Sequence, residues 1–308
     1  WTLYHTPALS VQPVAAVSGQ TVQLPATMMD GAAPVEGAVL TFLVNGAPAG
    51  TATTGPDGTG RVSFAVTLPA GSYPISVTSP QSDGLYLRAT AGTGTLQVSA
   101  QNLTVAYTGS TLVRKPDAAT LSATVAPAFA GVPVIFTLTD VVTGQSSSYQ
   151  AVTDGQGVAV AGISPAPGVY MVTVLPGDPT RYTFGAVSAE LVVYDPAGGS
   201  AGGGGWFMAG TEKVNFGFQV RYQQGAATGN VSFNNLVGGR HLKESQIDWL
   251  VVAGSTAIVQ GRTADGYTFR LTVTDGQPDR LAIQVKDAAG SPVVDLQNIE
   301  PNGELNVR

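Results

Sequence analysis

The sequence predicts an all-β chain: two tandem β-sandwiches, then a third, different β-sandwich or barrel behind a glycine-rich hinge. Three observations predict it. One phrase occurs twice, 97 positions apart, as Gly71-x-Tyr73 and Gly168-x-Tyr170. Apolar residues alternate with period two along most of the chain, the mark of strands with one buried face. Turn signals of the Asp-Gly type fall between these runs, and no stretch of residues 8–195 shows an apolar spacing of 3.6.

Composition sets the bounds. The chain has 308 residues, with 39 Gly and 20 Pro, which is enough for two or three domains. Charged residues make up 11% and hydrophobic ones 44%, against about 25% charged in an average protein. A disordered chain would be charged and poor in apolar residues, so this one folds. Net charge is −6 without any basic stripe, which gives nucleic-acid binding no electrostatic footing. The absence of cysteine excludes disulfides and thiolate metal sites. No apolar run approaches the length of a membrane span. Because the chain starts at Trp1, it reads as a processed protein or a trimmed fragment.

Residues 1–7, WTLYHTP, precede the first expected sandwich strand. Trp1, Leu3 and His5 alternate with Thr2, Tyr4 and Thr6, so the segment can form a strand. Trp1, Leu3 and Tyr4 are candidates for self-association by addition to an exposed sheet edge of another copy. The alternatives are a linker from an upstream domain or an arm folded on its own domain.

Residues 8–99 and 100–195 are the two repeats. Leu24-Pro-Ala-Thr27 matches Leu121-Ser-Ala-Thr124, Gly37-Ala-Val-Leu-Thr-Phe42 matches Gly131-Val-Pro-Val-Ile-Phe136, and Leu96-Gln-Val98 matches Leu191-Val-Val193. Asp57-Gly58-x-Gly60 matches Asp154-Gly155-x-Gly157. A period this long is too great for a solenoid and fits one small β-domain. Val62 and Phe64 alternate with polar or small neighbours. So do Tyr73, Ile75 and Val77, and Tyr170, Val172 and Val174. About seven short strands per copy with frequent turns predict a sandwich.

Gly71-x-Tyr73-x-Ile75 and Gly168-x-Tyr170-x-Val172 resemble the Asp-x-Gly-x-Tyr-x-Cys phrase of immunoglobulin domains, with Ile75 and Val172 at the cysteine position. With the Thr-Asp-x-x-Gly phrase and the closing Leu-x-Val strand, both copies resemble the bacterial immunoglobulin-like domains of invasin- and intimin-type surface proteins. The resemblance implies a tyrosine corner, in which Tyr73 and Tyr170 are buried and tie back to their own backbone. Gly71 and Gly168 belong to that corner.

Residues 196–205, within DPAGGSAGGGG, read as a flexible hinge by composition. In 206–308, Val214, Phe216, Phe218, Val220 and Tyr222 alternate as a strand. Further strands follow in 247–252, 268–273 and 280–285. Gly-Gly-Gly-Trp206, Phe216-Gly-Phe218, Asp248-Trp249-Leu and Thr274-Asp-Gly276 resemble the post-choice-of-anchor module of secreted bacterial proteins. That family implies location more than mechanism.

Candidate chemistry is sparse. His5 and His241 are the only histidines. Ser245 and Asp248 lie near His241, but no nucleophile elbow accompanies them. The aspartates Asp57, Asp83, Asp154, Asp265 and Asp275 each precede glycine and read as turn residues. Asp275 with Asp279 comes nearest to a calcium loop. Trp206, Trp249, Tyr222 and Tyr267 are candidates for a sugar-stacking platform, although Trp249 sits in an apolar run that suits a core. Asn102-Leu-Thr104 and Asn230-Val-Ser232 are glycosylation sequons, silent in a bacterial setting. No cofactor or catalytic residue is expected. The expected function is non-catalytic: an extracellular structural or adhesive protein of the bacterial surface. Its partners would be other surface proteins, copies of itself, or carbohydrate. The alternatives are a subunit of a self-assembling filament or sheath, and an accessory region of a secreted enzyme.

Overall fold

The computed structural model describes residues 6–79, 89, 91–236, 239–243 and 245–308. Trp1, Leu3, Tyr4, His5 and the Asp83-Gly84 turn lie outside the described residues. Among the described residues the regular structure is strand throughout.

In the first repeat one sheet joins Ala8–Val11, Thr21–Asp30, Ala33–Pro34 and Thr59–Ala65. The facing sheet runs in the order Val14–Val17, Gly92–Ser99, Gly71–Thr78, Val39–Val44, Ala47–Thr53. Val14–Val17 pairs in parallel with Gly92–Ser99, and the other pairings of that sheet are antiparallel. The chain passes from one sheet to the other at Gln12-Pro13, where proline has no N–H to give a ladder. Leu24, Ala26 and Met28 of one sheet bury against Leu40, Phe42, Ile75, Val77 and Leu96 of the other. The strand order is that of an immunoglobulin-type sandwich.

The second repeat has the same design. Thr104–Tyr107, Ala119–Ala126 and Val158–Ile163 form one sheet. Leu112–Arg114, Val187–Tyr194, Gly168–Pro176, Pro133–Asp140 and Ser146–Val152 form the other. Leu112–Arg114 is again the parallel strand. Leu121, Ala123, Phe136, Val172, Val174 and Leu191 fill its core.

Strand register corrects one sequence match. Thr27 faces Thr59, and the matching Thr124 faces Val158. Gly58 is therefore equivalent to Gly157, and the two Asp-Gly-x-Gly phrases are out of step by two residues. Each of these glycines has positive φ, +71° and +78°, a conformation that glycine adopts without steric cost. Each offers its carbonyl to the same place, Met28 N–H or Val125 N–H, at 2.9 Å. Register also pairs Thr54 with Thr153, both buried. The Thr54 hydroxyl donates to Val35 O at 2.6 Å and accepts from Ala38 N–H at 2.9 Å. The Thr153 hydroxyl does the same with Phe129 O at 2.5 Å and Val132 N–H at 2.9 Å.

The chain divides into two compact units, one of Trp1–Thr104 with Pro176–Gly185 and the other of Val105–Leu175 with Ala186–Arg308. In the first unit the short strand Gln101–Asn102 pairs in parallel with Tyr182–Thr183, and Ala70 N–H donates to Thr180 O at 2.8 Å. The loop 176–185 of the second repeat thus packs with the first unit.

The C-terminal domain belongs to the second unit and consists of two five-stranded sheets. The first runs Arg240–Leu242, Ala226–Leu236, Glu212–Gln223, Ser200–Ala209, Asn302–Val307. The second runs in chain order through Ser245–Ala253, Thr256–Thr263, Thr268–Thr274, Arg280–Lys286 and Pro292–Ile299. Phe207, Phe216, Phe218, Phe233 and Phe269 bury between them with Leu250, Val259 and Ile283.

The expected glycine hinge is corrected here. Residues 200–205 open the strand Ser200–Ala209, which lies between Glu212–Gln223 and Asn302–Val307. Glycine is required at two of its inward positions. A Cβ on Gly203 would stand 2.6 Å from Glu304 O and 3.1 Å from the Phe218 ring, and one on Gly205 would collide with Asn302 O. The aromatic block fills the volume that the glycines leave open. Phe216 stacks on Phe218 at 6.4 Å and on Phe233 at 5.9 Å. Strand glycine commonly marks such a close approach.

Candidate functional site

The repeated phrase builds a corner. In each copy the tyrosine two residues after the glycine folds its ring back over it. A Cβ on Gly71 would meet the Tyr73 hydroxyl oxygen at 3.2 Å, and one on Gly168 would meet the Tyr170 ring at 2.9 Å. Tyr73 donates to Pro69 O and Tyr170 to Ala166 O, both at 2.9 Å. Tyr170 is buried, and burial raises its pKa, with the Asp140 charge adding to the effect. Tyr73 is half-buried, packed on the edge of its core. It departs in that respect from the buried position expected of it.

The turn aspartates bind backbone. Asp57 accepts Thr59 N–H at 2.9 Å, the main reason its pKa is lowered. Asp154 accepts Gln156 N–H and Val158 N–H at 2.9 and 3.0 Å. Asp275 and Asp279, the nearest approach to a calcium loop, have other partners. Asp275 accepts Val307 N–H at 3.1 Å, and Asp279 accepts Gly276 N–H at 3.0 Å and Leu305 N–H at 2.9 Å. Both carboxylates reach across from the second sheet and satisfy the outer N–H groups of the last strand. They close the sandwich and cover an edge.

The remaining sequence candidates are not brought together. His241 Nδ1 accepts Asn235 N–H at 3.4 Å, the Ser245 hydroxyl accepts Val231 N–H at 2.8 Å, and Asp248 pairs with Arg262 at 2.7 Å. The four aromatics of the proposed sugar platform lie apart. Trp206 carries Lys213 Nζ over its ring at 4.3 Å, Tyr267 carries Arg240, and the Tyr222 hydroxyl bonds Leu250 O at 2.8 Å.

Trp249 belongs instead to a joint that sequence reasoning missed. The register slips between Ile247 and Trp249, so Ile247 and Leu250 point into the core while Trp249 and Val251 point out. A bulge re-aims side chains in this way. Trp249, Val251 and Ile258 bury against Val169, Val192 and the half-buried Tyr194 of the second sandwich. Arg270 lies over Trp249 at 5.4 Å. It donates to both carboxylate oxygens of Glu190 at 2.5 and 2.8 Å and to Gln260 at 3.0 Å. Tyr194 stacks on Tyr222 at 5.8 Å and 11°. Burial pushes the Tyr222 pKa up to about 12.

Magnitudes decide which contact holds the joint. Fully burying one such apolar side chain contributes about 1.5–3 kcal/mol. The side chains of Arg270 and Glu190 are 30% and 35% exposed, and a partly solvated ion pair contributes about 0–1 kcal/mol. The apolar patch supplies the energy, and the bidentate pair sets the orientation.

No protein family matches the chain, and no curated protein does. Among solved structures it is similar to the adhesin InvE of Yersinia pseudotuberculosis at 12% identity, over 83% of this chain and 69% of that one, with a TM-score of 0.37. It is similar to the FN1–FN3 domains of chicken CNTN1 at 10% identity, over 96% and 92%, with a TM-score of 0.25. A third similarity, at 19% identity, is to the titin domains Z1Z2 in complex with telethonin, over 63% and 98%, with a TM-score of 0.29. The class the strand order defines is an all-β chain of immunoglobulin-type sandwiches with a ten-stranded C-terminal sandwich.

Proposed function

We propose that the chain is a non-catalytic structural and adhesive part of an exported bacterial surface protein. The joint carries this reading. The second sandwich and the C-terminal domain share a buried patch of Val169, Val192, Trp249, Val251 and Ile258, where the composition suggests a free hinge. Such a joint transmits force between domains and holds an outward surface at a set angle. The reactive side chains support the same reading, because the aspartates and tyrosines above bind their own backbone. The test is display of the full chain on a non-adherent bacterium and measurement of adherence to epithelial cells and matrix. Adherence above the empty host is expected. No gain in adherence, together with turnover in a panel of hydrolase substrates, would refute the reading.

A second reading, a filament subunit joined by strand addition, is favoured by one edge. Ser146–Val152 is a seven-residue edge strand without charge, glycine or proline, and Val152 is 61% exposed. Edges of that kind accept another strand. Sedimentation of the full chain across a range of concentrations tests it: open-ended assembly is expected, and a monomer at every concentration rules it out.

A further inference from the structure

The outer face of the first C-terminal sheet, on the side of the domain away from the joint, carries a regular array of polar side chains. Strand register places its residues in three rows across four strands. One row is Asn234, Asn215, Trp206 and Asn302. The next is Ser232, Gly217, Gly204 and Glu304, and the third is Asn230, Gln219, Gly202 and Asn306. The flanking rows lie about 14 Å apart, and their members recur at the strand interval of about 4.8 Å.

Two independent features mark this face. First, its carboxamides are unengaged: among the described residues, the side chains of Asn215, Gln219, Asn234, Asn302 and Asn306 bond no protein group. Asparagine is disfavoured in strands, so neither local propensity nor internal bonding accounts for the array. Second, the outward glycines are not required by packing. A Cβ would stand 3.6 Å from its nearest neighbour at Gly202, 3.5 Å at Gly204 and 3.7 Å at Gly217. These are ordinary contacts, unlike those at the inward Gly203. Glycine in a strand loses backbone entropy on folding, yet the middle row keeps Gly204 and Gly217 side by side between Ser232 and Glu304, where a Cβ would fit.

We infer that this face binds an uncharged polysaccharide lying across the strands in the glycine-floored groove. The carboxamides supply paired donors and acceptors to sugar hydroxyls from both walls. Trp206 supplies an aromatic ring for a pyranose once Lys213 Nζ, which lies 4.3 Å over it, swings aside. Within the three rows the one charged residue is Glu304, and Lys213 lies over the Trp206 ring, so the face holds one charge of each sign, suits a neutral polyol and offers no basic cluster to an anionic polymer. The inference gives the adhesive reading its ligand class and rests on that reading for where the glycan is met.

The test uses the full chain. Retardation is measured in gels containing soluble mannan, xyloglucan, mixed-linkage β-glucan or dextran, and retention is measured on insoluble cellulose and chitin. Binding to at least one of these is expected, weakened tenfold or more by Trp206→Ala and by Gly204→Thr. The threonine raises strand propensity at an outward position where a Cβ meets only ordinary contacts, so Gly204→Thr should keep or raise the melting temperature while losing the polysaccharide. Failure of the wild type to bind any of the six overturns the inference, as does equal binding by Gly204→Thr. Adherence to cells that survives Gly204→Thr overturns the glycan face and leaves the adhesive reading standing on another surface.

Discussion

Gly168 and Tyr170 show how one residue sets the need for another. The ring that donates to Ala166 O occupies the space where a Cβ on Gly168 would stand, 2.9 Å away. Tyr170→Phe removes the donor and keeps the ring, so it should cost about 1 kcal/mol. Gly168→Ala forces the ring to move and should cost about 1–3 kcal/mol, as overpacking does. Gly71→Ala should cost less, because its nearest contact is 3.2 Å and Tyr73 is half-buried. Urea denaturation of the three variants checks the order, and a Gly71→Ala cost above that of Gly168→Ala would contradict it. Burial also pushes both Tyr107 and Tyr222 up to about 12 from 10.0. Each folded-state pKa is raised, so the stability it contributes is complete below pH 10 and lost as pH rises through about 12. Phenolate absorbance should show two tyrosines ionising near pH 12 in the folded protein. Ionisation of all ten together near pH 10 would contradict this.

At the scale of the element, Ser200–Ala209 is the informative strand. Its glycines alternate in role, the inward pair making room for Leu305 and the Phe218 ring and the outward ones leaving a Cβ at ordinary contact distances. Gly203→Val should therefore break the pairing with Asn302–Val307 and destabilise the domain by about 3 kcal/mol or more, since backbone and core must both shift. Gly204→Thr should be neutral or stabilising. Thermal melts of the two variants check the contrast, and equal melting temperatures would show that the two faces of the strand do not differ. The same strand shows why composition misled: a run of glycines looks like a linker when the side chains that cover it come from Glu212–Gln223 and Asn302–Val307.

For the molecule as a whole, the joint couples the second sandwich to the C-terminal domain through one apolar patch and one ion pair. Calorimetry should show these two parts melting together. Trp249→Ala should cost about 3–5 kcal/mol and split that transition in two, because the patch loses its largest member. Glu190→Ala should shift the transition by a smaller amount without splitting it. Separate transitions in the wild type would refute the coupling.

The sequence by itself determined what depends on neighbours along the chain. Period-two alternation marked strands such as Glu212–Gln223, glycine and aspartate marked turns, and Gly-x-Tyr marked both corners, because each signal lies within a few residues. It also revealed the duplication, since matched pairs such as Leu24 and Leu121 keep their order. Only the tertiary structure decided which residues meet across long separations. Register set Gly58 against Gly157, where local spelling had suggested the aspartates. A bulge at Asp248 turned Trp249 outward onto Val169 and Val192, which no period count reveals. Asp275 and Asp279 found their partners in a strand some thirty residues on. The amide-lined face arises in the same way, because its four strands contribute one residue each to every row, and only pairing places those residues side by side.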